Sequence, residues 1–164
     1  MKHLWPVLTV MFLVSCQASK NDGPKEVERY VNPVTDRTGA LTEMAFLVND
    51  YRARRALKPL ALNTGMSLEA QLHTEDMAQG RMPFGHFNMS QRCQNSRRAL
   101  GGGNGCGEVV SRFYPNADGA FNGWLNSFNH RDQIEDSRFT HMGIGLAIDA
   151  GGMPYWTLLL LQKM

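Results

Sequence analysis

The chain has 164 residues, which suits one domain with a buried core, and 43% of them are hydrophobic. Its 17 Lys and Arg residues are nearly balanced by 15 Asp and Glu residues, for a formal net charge of +2. This balance excludes the strongly basic footprint of a nucleic-acid-binding protein, so we expect no nucleic-acid partner. Composition alone leaves the oligomeric state unknown.

The first 15 residues have the features of an export signal. Lys2 precedes an apolar run over residues 4–14 that is too short to span a bilayer. The segment Leu13-Val14-Ser15-Cys16 resembles the lipobox of bacterial lipoproteins, which implies a lipoprotein signal peptide over residues 1–15 and lipidation of Cys16. A lipidated Cys16 would tie the protein to a membrane. An ordinary cleaved signal and a short membrane anchor are the alternatives.

An acylated Cys16 implies a bacterial cell-envelope protein that is lipid-anchored and extracytoplasmic. Gln17 follows the cysteine, and under the enterobacterial sorting rule a residue other than Asp there directs the protein to the outer membrane of a Gram-negative cell. Residues 16–37 are polar and contain Gly and Pro, so they are predicted to form a flexible tether. The folded domain is predicted over residues 38–164.

Two helices are predicted at the start of this domain. Apolar residues recur at helical spacing over 41–57, and the proline of Lys58-Pro59 ends that helix. A short extended link over 60–62 leads to a second helix over about 66–79, which Asn63 or Thr64 can cap. His73 lies on its inner face and is predicted to be a core histidine. Five arginines are predicted to be solvated: Arg52, Arg54, Arg55, Arg97 and Arg98.

Residues 81–107 are predicted to form a long loop, because proline and a run of glycines from Gly101 to Gly105 oppose regular structure. After it, residues 108–113 are predicted as a short strand and 117–128 as a third helix, with Ile134 in a further turn. The alternation over 144–148 and the apolar run over 155–161 then predict an antiparallel hairpin whose second strand is central. These elements indicate an α+β domain with helices on an antiparallel sheet.

The three cysteines divide naturally if Cys16 carries lipid. Cys93 and Cys106 then remain as a pair, and paired thiols in an oxidising compartment favour a disulfide. Two free buried thiols, or two metal ligands, are the alternatives.

The order of several short segments resembles the CAP superfamily, which includes cysteine-rich secretory proteins, antigen 5 and plant pathogenesis-related proteins. Its short bacterial, SCP-like members are the closest match. The segments that carry the resemblance are Leu47-Val48-Asn49-Asp50-Tyr51-Arg52, residues 60–77 with Ala70, His73 and Met77, Phe84-Gly85-His86, Gly107-Glu108, Trp124-Leu125-Asn126-Ser127, His130-Arg131, Gly143-Ile144-Gly145 and Tyr155-Trp156-Thr157. The resemblance implies an α-β-α sandwich with a central antiparallel sheet over residues 38–164.

The family commonly places two histidines and two acidic residues around a central cleft. The resemblance assigns His86 and His130 to the two histidines and Glu108 to the first acid. The position of the second acid is Ser127 in this chain, so the set is incomplete. Val109 is a further departure, because the family usually has Asn after the glutamate.

Three roles are compatible with His86, Glu108 and His130. Two imidazoles and the carboxylate can form an open zinc site whose fourth position would take a water that attacks an ester or amide. His86 and His130 without Glu108 are the other predicted set of metal ligands. Alternatively, the three residues hydrogen-bond one another and hold the long loop in place. We expect a binding module for a lipid, a cell-wall fragment or an envelope protein. The alternative is a zinc-dependent hydrolase, and catalysis and a zinc cofactor rank below binding.

Overall fold

A computed structural model describes residues 36–164, which form five helices and four strands. The elements in chain order are α1 (Arg37–Arg54), β1 (Ala61–Leu62), α2 (Thr64–Ala78), α3 (Met89–Leu100), β2 (Cys106–Arg112), α4 (Ala117–Asn126), α5 (Phe128–Glu135), β3 (His141–Ile148) and β4 (Pro154–Leu161). The predicted signal peptide, Cys16 and the tether up to residue 35 lie outside the described residues. Within 36–164, no helix combines the length and apolarity needed to cross a bilayer.

The four strands form one sheet in the order β1-β3-β4-β2. The β3–β4 pair is antiparallel, with Ile148 opposite Pro154, so the predicted hairpin is confirmed. All eight residues of β4 are buried, which confirms its prediction as a central strand. The two-residue strand β1 pairs with β3 in parallel, so the otherwise antiparallel sheet is mixed at that edge.

Helices cover both faces of the sheet. On one face, Ile144 and Leu146 of β3 and Trp156 of β4 join a core built with residues of α1, α4 and α5. On the other face, Leu159 of β4 packs with Met66 of α2 and with the end of α3. Successive side chains of a strand point to opposite faces, so β4 supplies both cores. The α-β-α sandwich implied by the family resemblance is confirmed.

Two glycines of β3 bring α2 unusually close to the sheet. A Cβ atom added to Gly143 would lie 2.2 Å from the carbonyl carbon of Met66, and one added to Gly145 would lie 2.5 Å from that of Ala70. The alternation of glycine with Ile144 and Leu146 therefore has a packing reason: the apolar side chains face one core and the helix backbone occupies the other face.

Side-chain caps set the starts of α1 and α2. The side chain of Asp36 accepts a hydrogen bond from the backbone N–H of Gly39, so α1 begins four residues before the predicted start. Asn63, one of the two predicted caps, accepts a hydrogen bond from the backbone N–H of Met66 at 3.0 Å. The cap position, rather than the first apolar residue, determines where each helix begins.

The prediction of a continuous loop over residues 81–107 is wrong, because α3 occupies Met89–Leu100. The buried positions of α3 are Arg92, Cys93, Ser96 and Leu100, which recur at helical spacing although two of them are polar. A search for apolar periodicity misses such a helix. Cys93 is joined to Cys106 at the start of β2, so the predicted disulfide is confirmed.

The prediction that Arg52 is solvated is also wrong. Its side chain is fully buried at the end of α1, where it donates hydrogen bonds to backbone carbonyls of Lys58, Ile134, Asp136 and Phe139. Burial lowers the pKa of Arg52, although the negative charge of Asp136 opposes this effect. The guanidinium satisfies carbonyls of the turn after α1 and of residues 134–139, which is a structural role.

Candidate functional site

Glu108 lies at the centre of a buried polar cluster on the α2–α3 side of the sheet. It belongs to β2, where alternation puts Glu108 and Arg112 on one face and the core residue Val109 on the other. Only 1% of Glu108 is exposed. A carboxylate this deeply buried is costly unless it is paired and hydrogen-bonded. Its partners come from α3 and from the loop before α3.

Arg92 of α3 binds both carboxylate oxygens of Glu108. Its Nε lies 2.6 Å from Oε2 and its Nη2 lies 2.8 Å from Oε1, so the ion pair is bidentate. A third nitrogen of Arg92 donates to the carbonyl of Phe87. Burial alone would raise the pKa of Glu108, but hydrogen bonds from His86 and Arg92 outweigh burial and lower it. Glu108 is therefore negatively charged, and the guanidinium of Arg92 balances this charge.

His86 bridges this buried pair and the solvent. Its Nδ1 lies 2.9 Å from Oε1 of Glu108, and 45% of its side chain is exposed. An ionised carboxylate can only accept, so Nδ1 carries the hydrogen and donates it. In the neutral ring this assignment leaves the lone pair on Nε2, the other ring nitrogen, free for a ligand. The orientation of His86 is thus determined by Glu108.

His130 of α5 lies beside His86. The ring centroids are 6.4 Å apart with an interplanar angle of 66°. Burial, followed by the nearby His86, lowers the pKa of His130, which favours its neutral form. The structure therefore brings His86, Glu108 and His130 together, and we use the name histidine cleft for these three residues.

His73 of α2 contacts the loop that carries His86. It is 2% exposed, and its Nε2 donates to the carbonyl oxygen of Gly85, the residue before His86. The same nitrogen is 3.9 Å from Oε1 of Glu108. Burial and the charge of Arg92 lower the pKa of His73, and its Nδ1 has no hydrogen-bond partner. His73 is buried as predicted, and in addition it holds the loop that carries His86.

Gln133 joins the helix of His130 to the strand of Glu108. Its side-chain oxygen accepts a hydrogen bond from the backbone N–H of Glu108 at 2.8 Å. Gly107 makes this approach feasible, because a Cβ atom there would lie 2.5 Å from the same oxygen. The Gly107-Glu108 pair thus combines a small residue for close packing with the charged residue of the site.

Ser127, predicted as a cleft residue, lies where α4 ends and α5 begins. Its backbone N–H bonds to the carbonyl of Trp124, and its own carbonyl accepts from the N–H of Arg131. The predicted single helix over 117–128 is therefore two helices with a break at Ser127. The break turns the chain so that His130 follows on a separate helix.

The side chains available in the cleft determine whether it could bind zinc. Within residues 36–164, no group of three or more His, Cys, Asp and Glu side chains is arranged to hold a metal ion. Both oxygens of Glu108 are already bound by Arg92, so the carboxylate fits the role of orienting His86 better than that of a ligand. Metal-binding histidines commonly donate their second N–H to such a carboxylate. The two imidazoles alone remain the predicted ligands.

Sequence reasoning missed Arg92 and Gln133. Arg92 lay in a segment predicted as loop, and its neighbour Cys93 was the available signal, because a disulfide to Cys106 places residue 92 near residue 108. Gln133 carried no signal, since a neutral amide in a polar helix is common on protein surfaces. Both residues are recognisable only when the strand and helices are assembled.

The fold and the cleft define the class to which this chain belongs. The family model described as "CAP: Cysteine-rich secretory protein family" matches residues 46–160. This match covers well over half of the chain, so the protein belongs to the CAP family.

Individual relatives agree with this assignment. The chain is 27% identical over 119 residues to Uncharacterized protein YkwD of Bacillus subtilis, covering 68% of this chain and 42% of YkwD. A crystal structure of an extracellular protein containing an SCP domain from Bacillus anthracis matches with a TM-score of 0.67 and 26% identity, covering 77% of this chain and 41% of that one. An outer surface protein from Borrelia burgdorferi has a TM-score of 0.69 and 13% identity, covering 79% and 96% of the two chains.

Identity this low to the Borrelia burgdorferi protein supports the shared fold alone. The chain spans less than half the length of YkwD and of the Bacillus anthracis protein, so it corresponds to one part of each.

Proposed function

We propose that this protein is a lipid-anchored, extracytoplasmic CAP-domain binding protein whose ligand site is the histidine cleft. One observation carries the proposal: Glu108 is buried and its charge is balanced by Arg92, while the exposed ring of His86 and the half-buried ring of His130 lie beside it. The site therefore presents two neighbouring imidazoles to a ligand, and Glu108 orients one of them, His86. The ligand classes are a lipid, a cell-wall fragment or an envelope protein.

Binding is favoured over catalysis by the state of the carboxylate. A general base must be free to take a proton at neutral pH, and such groups have a pKa near that pH. The pKa of Glu108 is instead lowered, and Arg92 and His86 bind both of its oxygens. Glu108 therefore acts as the group that orients His86 and not as a general base.

The binding role is tested by native mass spectrometry of the full chain purified from its own membranes. We expect a non-covalently bound species on the wild-type protein that is depleted in the His86→Ala/His130→Ala variant. Arg54→Gln, which changes an exposed arginine on α1, is the matched control and should retain the species. Equal occupancy in the wild type and the double variant would contradict a role for the cleft.

A zinc-dependent hydrolase is the second candidate, supported by the hydrogen bond from His86 to Glu108. If zinc binds, His86 and His130 would hold it, and it would supply Lewis-acid chemistry. Zinc titration by calorimetry should then show a site that the His86→Ala/His130→Ala variant lacks. Negligible binding in both proteins would remove the metal and the hydrolase together, whereas ester hydrolysis lost in a folded Glu108→Gln variant would favour catalysis over binding.

The membrane anchor has its own test. The Bacillus anthracis relative is an extracellular protein, which supports an extracytoplasmic location for this one. Cells grown with labelled palmitate should yield labelled protein, and Cys16→Ser should remove the label. Label that persists in Cys16→Ser would disprove acylation at that residue.

A further inference from the structure

A second feature lies at the end of β2, away from the histidines. The guanidinium carbon of Arg112 is 4.7 Å from the ring centroid of Phe84 and 4.6 Å from that of Phe113. We call these three residues the arginine stack. All are exposed, with Phe84 at 40% and Phe113 at 55%. Within residues 36–164, Arg112 has no carboxylate within ion-pair distance.

The backbone at Phe113 is strained. Its φ of +72° lies in the left-handed region, which a bulky side chain rarely adopts. A hydrogen bond from its N–H to the carbonyl of Pro154 holds it there at 3.0 Å. Such strain persists only where surrounding structure imposes it, and it concentrates at ligand-binding sites. Here the strained residue presents an exposed ring against an unpaired cation.

The arginine stack faces the same side of the sheet as the histidine cleft. Arg112 is four residues beyond Glu108 on β2, which corresponds to about 13 Å along a strand. Phe84 packs on Tyr155, the residue opposite Arg112, with ring centroids 6.2 Å apart. Phe84 is also two residues before His86, so one short loop contributes to both places.

We propose that the arginine stack is a binding subsite for a carboxylate-bearing sugar unit of a glycan. The rings of Phe84 and Phe113 restrain the guanidinium of Arg112. Its N–H groups can then donate bidentate hydrogen bonds to a planar carboxylate. Exposed faces of the same rings suit the C–H-rich face of a pyranose. A membrane surface is the weaker occupant, because a single arginine gives little attraction to anionic lipid and a fluid bilayer requires no strained, fixed geometry.

A pair of sugars that differ in the carboxylate tests this chemistry. N-acetylmuramic acid and N-acetylglucosamine share their ring, but only the former carries a lactyl carboxylate. Titration of the full chain, followed by NMR, should shift resonances of Arg112 and Phe113 with the acidic sugar and at least fivefold more weakly with the neutral one. Equal shifts with both sugars, or shifts with neither, would overturn the proposal.

Variants separate the subsite from a purely structural role. Arg112→Gln should abolish the response and Arg112→Lys should weaken it, whereas Arg138→Gln, at an exposed arginine elsewhere, should leave it unchanged. Phe113→Gly should weaken binding while keeping or raising the unfolding temperature, because glycine tolerates the positive φ. A lower unfolding temperature with unchanged binding would overturn the proposal. So would the absence of sugar binding together with Arg112-dependent binding to phosphatidylglycerol vesicles.

This subsite extends the proposed binding role without depending on the histidines. His86→Ala/His130→Ala should leave the acidic-sugar shifts at Arg112 in place. The loss of those shifts in a folded double variant would mean that no separate subsite exists, whereas their retention with an empty histidine cleft would contradict only the function proposed for the cleft.

Discussion

Replacing Arg92 with Gln should be one of the most destabilising single polar substitutions in the domain. The change removes the positive charge that neutralises Glu108, while Glu108 stays 1% exposed. Removing one partner of a buried ion pair costs about 3–5 kcal/mol, because the remaining charge is uncompensated. Domain stability is typically about 5–15 kcal/mol, so the Arg92→Gln variant should lose a large part of it.

Urea unfolding at pH 7, with and without the substitution, measures this cost. Arg98→Gln is the matched control on the same helix, because Arg98 is exposed, and its free energy of unfolding should change by less than about 0.5 kcal/mol. The Arg92→Gln/Glu108→Gln double variant should be more stable than Arg92→Gln alone, since two amides leave no buried charge. The difference from additivity gives the coupling energy of the pair.

The pH dependence provides an independent check. In the wild type, the pKa of Glu108 is lowered, so its contribution to stability is present above its ordinary pKa of 4.5 and is lost as pH falls through the folded pKa. Without Arg92, burial should raise that pKa. The destabilisation of Arg92→Gln should then shrink as pH falls towards 4.5. If Arg92→Gln costs no more than Arg98→Gln at pH 7, the ion pair does not hold α3 to β2 and the reasoning fails.

Three further predictions concern the same framework. The Cys93→Ser/Cys106→Ser variant should lose about 3 kcal/mol in urea unfolding, because the disulfide closes a loop with a sequence separation of 13; an unchanged midpoint would contradict this. Gly143→Ala should cost about 1–3 kcal/mol, measured the same way, because its Cβ would meet the backbone of α2 at 2.2 Å; full stability would show that α2 can move aside. Burial lowers the pKa of His73, so below pH 6.5 the unfolded chain binds more protons than the folded one, and the free energy of unfolding should fall by at most about 1.4 kcal/mol for each unit by which the pH is lowered. In urea unfolding between pH 6.5 and 5.5, His73→Gln should reduce this dependence of the free energy of unfolding on pH. An unchanged dependence would exclude His73 as its source.

Periodicity predicted those elements whose buried residues are apolar. The β3–β4 hairpin follows from alternation at Ile144 and Leu146 and from the apolar run of β4, and α2 follows from Met66, Ala70 and Met77. These residues contribute to stability by removing apolar surface from water, and their spacing reports secondary structure directly.

The same reasoning failed where polar residues turn inward. Helix α3 buries Arg92 and Ser96, and α1 buries Arg52, so their sequences resemble solvated surface. Each charged group is stable in the interior only because partners from distant segments satisfy it: Glu108 for Arg92, and four backbone carbonyls for Arg52. No local pattern in a single sequence specifies those partners.

The amino-acid sequence by itself predicted helices packed on an antiparallel sheet, because the spacing of apolar residues is a local property. Its resemblance to the CAP family, carried by the order of short motifs, implied the α-β-α sandwich and singled out His86, Glu108 and His130. Only the tertiary structure decided which groups surround these residues and that Glu108 is charged. Arg92 and Glu108 are 16 positions apart, and their pairing across α3 and β2 makes the carboxylate an anchor for His86. The physical reason is that the charge state of a buried group depends on what surrounds it in space, and those neighbours are brought together by packing.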